Sequence, residues 1–177
     1  MPDDDQIMFA GKKFDVLRRA VELGGTRHVF DIVRHPGAAA ILPVLDDGRL
    51  VLIRNYRVAV DEELLEVPAG TLDEGEAPEA CAARELAEET GYRAGRLTPL
   101  VVCYSSPGIL NEQMHTFVAT DLTPGPIAHE SGEQIRVTTM TLRDALDAVR
   151  AGRINDGKTI LTLLYYDRFV RGEGTGP

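Results

Sequence analysis

The chain has 177 residues, 44% of them hydrophobic and 27% charged, with a net charge of −9. That length suits one domain able to bury most of its unfolded apolar surface in a single core, and no apolar run approaches the roughly 18 residues of a membrane span. The charge argues against a broad nucleic-acid footprint, which needs clustered Lys and Arg, but it allows a small anionic ligand if divalent cations lie between carboxylates and phosphates.

The amino terminus, MPDDDQIMFAGKK, lacks a basic stretch followed by an apolar one, so no secretory signal is read there and a cytoplasmic location without membrane attachment is expected. KKFDVLRRAVEL and RHVFDIVRH alternate at close to period two around GGT and predict a hairpin. AAAILPVL and RLVLIRNYRVAV, joined by the turn signal DDG, predict central strands. Helical spacing first occurs in APEACAARELAEET, where Pro78 suits the first turn and Gly91 the position just past the end. LTPLVVCYSS, QMHTFVAT and IRVTTMTL read as strands, with the Pro- and Gly-containing DLTPGPIAHESGEQ as a polar loop before the last of them. LRDALDAVRAG and DGKTILTLLYYDRFVRG read as helices broken at INDG, and GEGTGP as a disordered tail.

The resulting class is α/β (α+β), a mixed sheet with helices on its faces. It divides into an amino-terminal β extension (1–36), a main domain (37–171) and a tail (172–177). Cys81 and Cys103 lack metal-ligand spacing and are expected to be buried free thiols. His28, His35, His115 and His129 show no zinc spacing and are expected to be surface or structural.

The acidic helix carries the chemistry. At 3.6 residues per turn Glu85 and Glu89 lie one turn apart on one face, with Glu88 adjacent. Like charges at that spacing cost a few tenths of a kcal/mol per pair, and Glu88 and Glu89 also oppose the helix dipole in the last turn. A hard divalent cation with oxygen ligands turns this repulsion into binding; Mg²⁺ suits one or two carboxylates plus waters and substrate phosphates. Taken alone, ELAEE would more often be a solvated face. The whole stretch, GTLDEGEAPEACAARELAEETGY, decides otherwise. It satisfies G-x5-E-x7-R-E-U-x-E-E-x-G-U (U apolar) from Gly70 through Glu76 and Arg84 to Gly91 and Tyr92, a match expected by chance on the order of once in ten million.

This pattern resembles the signature of the Nudix hydrolases, which implies a Nudix-type α/β/α sandwich and hydrolysis of a nucleoside diphosphate linked to another group. Pro107, sixteen residues beyond Gly91 in SSPGILNE, resembles the ADP-ribose pyrophosphatase group, as do HPGAAAILPV, IRNYR, LEVPAG and DGKTILTLL. The resemblance implies metal ligation by Glu85 and Glu89, assisted by Glu88 and the backbone carbonyl of Ala69, with Mg²⁺ as cofactor and Mn²⁺ as a substitute. It assigns Arg57, and more weakly Arg54, to the substrate's diphosphate, and Glu112 to substrate or metal. For the catalytic base it offers Glu130 and Glu133 beside the already placed Glu89; register before IRV favours Glu133. Arg84 is expected to be mainly structural, holding a glutamate. The resemblance further implies a homodimer whose amino-terminal strands help build the partner's adenosine pocket. Other nucleoside diphosphate sugars such as GDP-mannose are the alternative substrates. A catalytically silent nucleotide-binding module is disfavoured, because every signature glutamate is present.

Overall fold

The structure is a computed structural model that describes residues 5–127 and 134–171. Among the described residues ten strands form three sheets. β1 (Asp5–Ala10), β2 (Asp15–Leu23) and β3 (Thr26–Arg34) make an antiparallel meander, the last two being the hairpin that the GGT turn predicts. β4 (Ala38–Pro43), β7 (Ala69–Thr71), β8 (Tyr92–Tyr104) and β9 (Gln113–Pro124) form a mixed sheet in the order β7-β4-β9-β8. β5 (Leu50–Arg57), β6 (Glu62–Glu66) and β10 (Ile135–Met140) form an antiparallel sheet in the order β10-β5-β6. The helices are α1 (Pro78–Thr90), α2 (Leu142–Arg150) and α3 (Gly157–Tyr165), and a π-helical turn, Tyr166–Arg171, prolongs the last.

β4 organises the core. Its six residues are all buried, and because side chains alternate across a strand they feed two cores. Ala39 and Ile41 face α1, packing with Cys81, Ala82, Leu86, Phe117 and Ala119. Ala38, Ala40 and Leu42 face the other way, onto Leu50, Leu52, Leu65 and Val67 and the α2 and α3 residues Ala145, Ala148 and Leu163. The small side chains of β4, Cys81 and Ala82 let α1 lie close to the sheet, which brings the acidic face of the helix to the β7 edge. The result is the expected α/β/α arrangement.

Local departures from the sequence reading have physical causes. β4 and β5 are both central, as expected, but in different sheets. Gly48, at a φ of 79°, closes the DDG turn, and the isolated bridge Val44–Leu50, with the Leu45 N–H donating to the Arg49 carbonyl, joins the chain on its two sides before the strands diverge. The segment EELLE, poor in strand-forming residues, becomes β6 through pairing with β5. β8 starts directly after α1, and β9 runs through DLTP, because the two strands pair from Tyr92–Pro124 to Tyr104–Gln113. Cys81 is buried as expected, whereas Cys103 is only partly so. Burial pushes the Cys81 thiol up to about 12, so it stays protonated at neutral pH. The tail lies outside the described residues.

Candidate active site

α1 begins without a side-chain cap at Ala77, with Pro78 in its first turn, and ends at Gly91, whose left-handed backbone (φ 74°) lets its N–H reach the Ala87 carbonyl. These ends set which residues face β7. The Glu85 carboxylate lies against Gly70 so closely that a Cβ added at Gly70 would fall within it. Glu89, 2% exposed, accepts a hydrogen bond from the Ala69 backbone N–H at 2.9 Å. Strand β7, which carries Ala69 and Gly70, is thus packed directly against two of the expected metal ligands.

Arg84 organises the rest. Its Nε and Nη2 bond both carboxylate oxygens of Glu76 at 3.0 and 2.9 Å, and its Nη1 reaches Glu85 at 2.7 Å and Glu88 at 3.1 Å. Nη2 also reaches the Thr71 carbonyl at 3.2 Å. Such a fork suits Arg, whose planar donors match carboxylates in pairs. Among the described residues no three His, Cys, Asp or Glu side chains already enclose a point where a cation could sit. Like-charged carboxylates turn to the nearest positive group, and Glu85 and Glu88 have turned to Arg84. Arg84 is therefore the clamp expected from sequence, extended from one glutamate to three.

The hydrogen bonds from Arg84 hold the Glu76 carboxyl well below its ordinary value, at about 2. A carboxyl whose folded value is depressed adds stability above its unfolded value, ordinarily near 4.5, and that stability is lost as the pH falls through the folded one. The stability of the wild type against urea is therefore expected to fall steadily from about pH 4.5 to pH 2, and Glu76→Gln is expected to flatten that part of the profile. An unchanged slope in the variant would mean that other carboxyls govern acid unfolding.

Glu85, Glu88 and Glu89 line a polar cleft of about 680 Å³ together with Arg57, Ala69, Gly70, Arg84 and Glu112. Arg57 is held there by Glu66, at 2.8 and 2.6 Å. Glu112 stands 3.5 Å from the His35 ring nitrogen Nδ1, which itself accepts from the Gly37 N–H. Arg54 is not brought to this cleft. It lies three residues before Arg57 on β5, hence on the opposite face, and pairs with Glu63 at 3.5 Å. Glu130 and Glu133 lie outside the described residues.

The cleft also contains residues that the sequence did not single out. Lys12 and Lys13, from the turn between β1 and β2, line it more than fifty residues away in sequence from the acidic helix. Nothing periodic links them to the signature; only their charge, adjacent to a strand start, hints at phosphate. Glu66 and Lys158, behind the cleft, lie in LEVPAG and DGKTILTLL, but the sequence gives neither a role of its own. The donor set is suited to a hard divalent cation: all its candidate ligands are oxygens, and the missing Cβ of Gly70 leaves the space that Glu85 occupies. A separate cavity of about 460 Å³ lies between the amino-terminal sheet and the segment carrying Pro107, lined by Phe30, Ile32, Tyr104, Pro107 and Ile109.

Comparison with known proteins places this arrangement. The chain is 39% identical over 161 residues to an ADP-ribose pyrophosphatase of Bacillus subtilis (strain 168), covering 89% of this chain and 87% of that one. It is 34% identical, over the same shares, to a methanol dehydrogenase activator of Bacillus methanolicus. A GDP-mannose pyrophosphatase of Cronobacter sakazakii is 40% identical over 147 residues, covering 77% and 75%. Among solved structures, an ADP compounds hydrolase superposes with a TM-score of 0.84 at 26% identity, over 97% of this chain and 94% of that one. The NUDIX domain model matches residues 33–163, a span containing the clamped glutamates of α1, strand β7 with Ala69 and Gly70, and Arg57. The chain therefore belongs to the NUDIX domain family and is a hydrolase of that family.

Proposed function

We propose that the protein hydrolyses the diphosphate of ADP-ribose to AMP and ribose 5-phosphate, with Mg²⁺ as its natural cation and Mn²⁺ as a substitute. The observation that carries this reading is the pairing, in one cleft, of the oxygen-only cluster Glu85, Glu88 and Glu89 with the cations Arg57, Lys12 and Lys13. Carboxylates alone repel a diphosphate; here they stand beside cations that attract it. Similarity to the ADP-ribose pyrophosphatase supports the choice of substrate, and similarity to GDP-mannose pyrophosphatases supports a nucleoside diphosphate sugar of that kind as the second reading.

Glu85 and Glu89 would hold the cation, assisted by Glu88 and the Ala69 carbonyl. When bound, it would neutralise the diphosphate and lower the pKa of a coordinated water. Arg57 binds and orients the diphosphate, with Lys12 and Lys13 adding positive charge at the cleft, and Glu112, which also lines it, contacts substrate. Glu133, or in its place Glu130, takes the proton of the attacking water. The water oxygen bonds to phosphorus, the bridging P–O bond breaks, and its electrons leave with the other phosphate. The 460 Å³ cavity supports a nucleoside reading too, since Phe30 and Tyr104 offer ring faces for a base.

The amino-terminal extension, residues 1–36, serves as a dimerisation element of a cytoplasmic homodimer. Ile7, Leu23 and Phe30 are exposed on one face of its sheet and Phe9 and Val29 on the other, apolar surface that a second copy would cover in part. No helix among the described residues is long and apolar enough to cross a membrane.

The test is release of AMP from ADP-ribose by the purified protein with Mg²⁺ and with EDTA, beside GDP-mannose. Fast release that EDTA abolishes, from ADP-ribose in preference to GDP-mannose, is expected. Cleavage of GDP-mannose alone would keep the site and replace the substrate; no cleavage of either would reject the reading.

A further inference from the structure

Behind the cleft lies a group of charges with an unusual degree of burial. Glu66 at the end of β6 is wholly buried, and two cations share its carboxylate. Arg57 donates Nε to Oε1 at 2.8 Å and Nη2 to Oε2 at 2.6 Å. Lys158, from the first turn of α3, bonds Oε2 as well and pairs with Asp156 at 3.0 Å. Burial works to raise the Glu66 carboxyl, but the two cations overcome it and hold it below its ordinary value, so it is charged. The side chain of Lys158 is only 14% exposed and does not line the cleft; that of Arg57 is 38% exposed and does.

The hydrogen bonds fix what is left to Arg57. The edge formed by Nε and Nη2 is occupied by Glu66, and Nη1 donates in none of the hydrogen bonds described, so a second edge is available to a ligand. A buried carboxylate paired with a single arginine would neutralise most of that arginine's charge. With Lys158 also on Glu66, the carboxylate is shared, and more of the Arg57 field remains for an anion in the cleft. The same helix turn is anchored to the turn before β7. Thr159 accepts from the Val67 N–H at 2.9 Å, while its hydroxyl donates to Asp156 at 2.6 Å. α3 is thereby tied to the segment that leads into Ala69 and Gly70.

We propose that Lys158 and Glu66 are positioning residues for diphosphate binding: Lys158, without touching substrate, sets the charge and orientation that Arg57 presents to the diphosphate. This rests on the functional reading above only in taking the cleft as the diphosphate site. It adds a dependence of substrate affinity on α3 that acts through one arginine.

The test is a double-mutant cycle of Lys158→Met and Arg57→Ala in the full chain. KM and kcat are measured on ADP-ribose or, if the wild type does not cleave it, on GDP-mannose. Binding of ADP by calorimetry is measured in parallel, so the cycle can be read whatever the substrate. Lys158→Met alone is expected to weaken KM and ADP binding about tenfold, with kcat within about threefold, the pattern of lost uniform binding. In the Arg57→Ala background the same change is expected to have little further effect, and Lys158→Arg is expected to restore wild-type behaviour. If Lys158→Met leaves the protein poorly folded, Lys158→Gln replaces it. Equal effects of the Lys158 change with and without Arg57, or a fall in kcat and melting temperature with binding unchanged, would overturn the proposal. Failure of the wild type to cleave either sugar nucleotide would count against the substrate assignment, and the ADP cycle would still decide the role of Lys158.

Discussion

Replacing Glu89 by Gln is expected to lower turnover by about 100-fold or more, because a catalytic cation contributes several kcal/mol of charge stabilisation and each 1.36 kcal/mol is a factor of ten. The fold should survive. Glu89 is 2% exposed and accepts from the Ala69 N–H, and the amide oxygen of Gln can accept the same bond. The substitution also removes one of three neighbouring negative charges near the end of α1, where the helix dipole opposes them. Melting temperature is therefore expected to be unchanged or slightly raised while kcat collapses. A variant with near-normal turnover at saturating Mg²⁺ would remove Glu89 from the list of essential ligands. A variant that loses activity and stability together would show that its bond to strand β7 matters more than its charge.

Gly70→Ala should produce the second-largest effect from the smallest change in the chain. The added methyl would occupy the place of the Glu85 carboxylate. The backbone at Gly70 is not left-handed, so alanine is not strained there. What must move is the far end of a flexible side chain, at little cost to folding, and stability should stay within about 1 kcal/mol of wild type. Activity should fall on the order of 100-fold, the scale associated with displacing a catalytic group by about 1 Å. Raising the Mg²⁺ concentration is expected to recover part of the loss, since the displaced ligand weakens metal affinity first. Wild-type kcat and metal dependence in this variant would mean that Glu85 works from a different position than the one seen beside Gly70. The two variants separate the chemistry of a ligand from its placement: one removes a charge without moving it, the other moves a charge without removing it.

Arg84 illustrates why such tests need the tertiary structure. From sequence its partner could be inferred only along the helix, at Glu88. Folding brings Glu76 from the preceding loop and the Thr71 carbonyl from β7 to the same guanidinium. Substitution at Arg84 would therefore disturb three glutamates at once, which makes it a poor probe of any one of them.

Much of the protein is legible in its amino acids because the signals are local. A helix beginning at Pro78 and ending at Gly91 follows from the way proline and glycine fit helix ends, and the periodicity of three glutamates on one face needs no knowledge of the rest of the chain. The hairpin across Gly24 and Gly25 follows from strand alternation and turn chemistry, both glycines having positive φ. The spacing from Gly70 to Tyr92 identifies the family because the whole pattern lies on one uninterrupted stretch of chain, from β7 through the loop and α1 to the first residue of β8.

Tertiary structure decided whatever depends on which faces meet. The sequence contains Arg54 and Arg57, the second favoured by the resemblance; the alternation of β5 sends only Arg57 to the cleft. It assigns no role to Lys12, Lys13, Glu66 or Lys158; the packing of the amino-terminal turn against the cleft, and of α3 against the end of β6, sets two of them on the site and two behind it. The physical reason is the range of the forces involved. Helix periodicity, turn geometry and capping act over a few residues and are written in order along the chain. Charge pairing and burial act through space, and their partners are chosen only when strands from distant parts of the sequence are brought side by side.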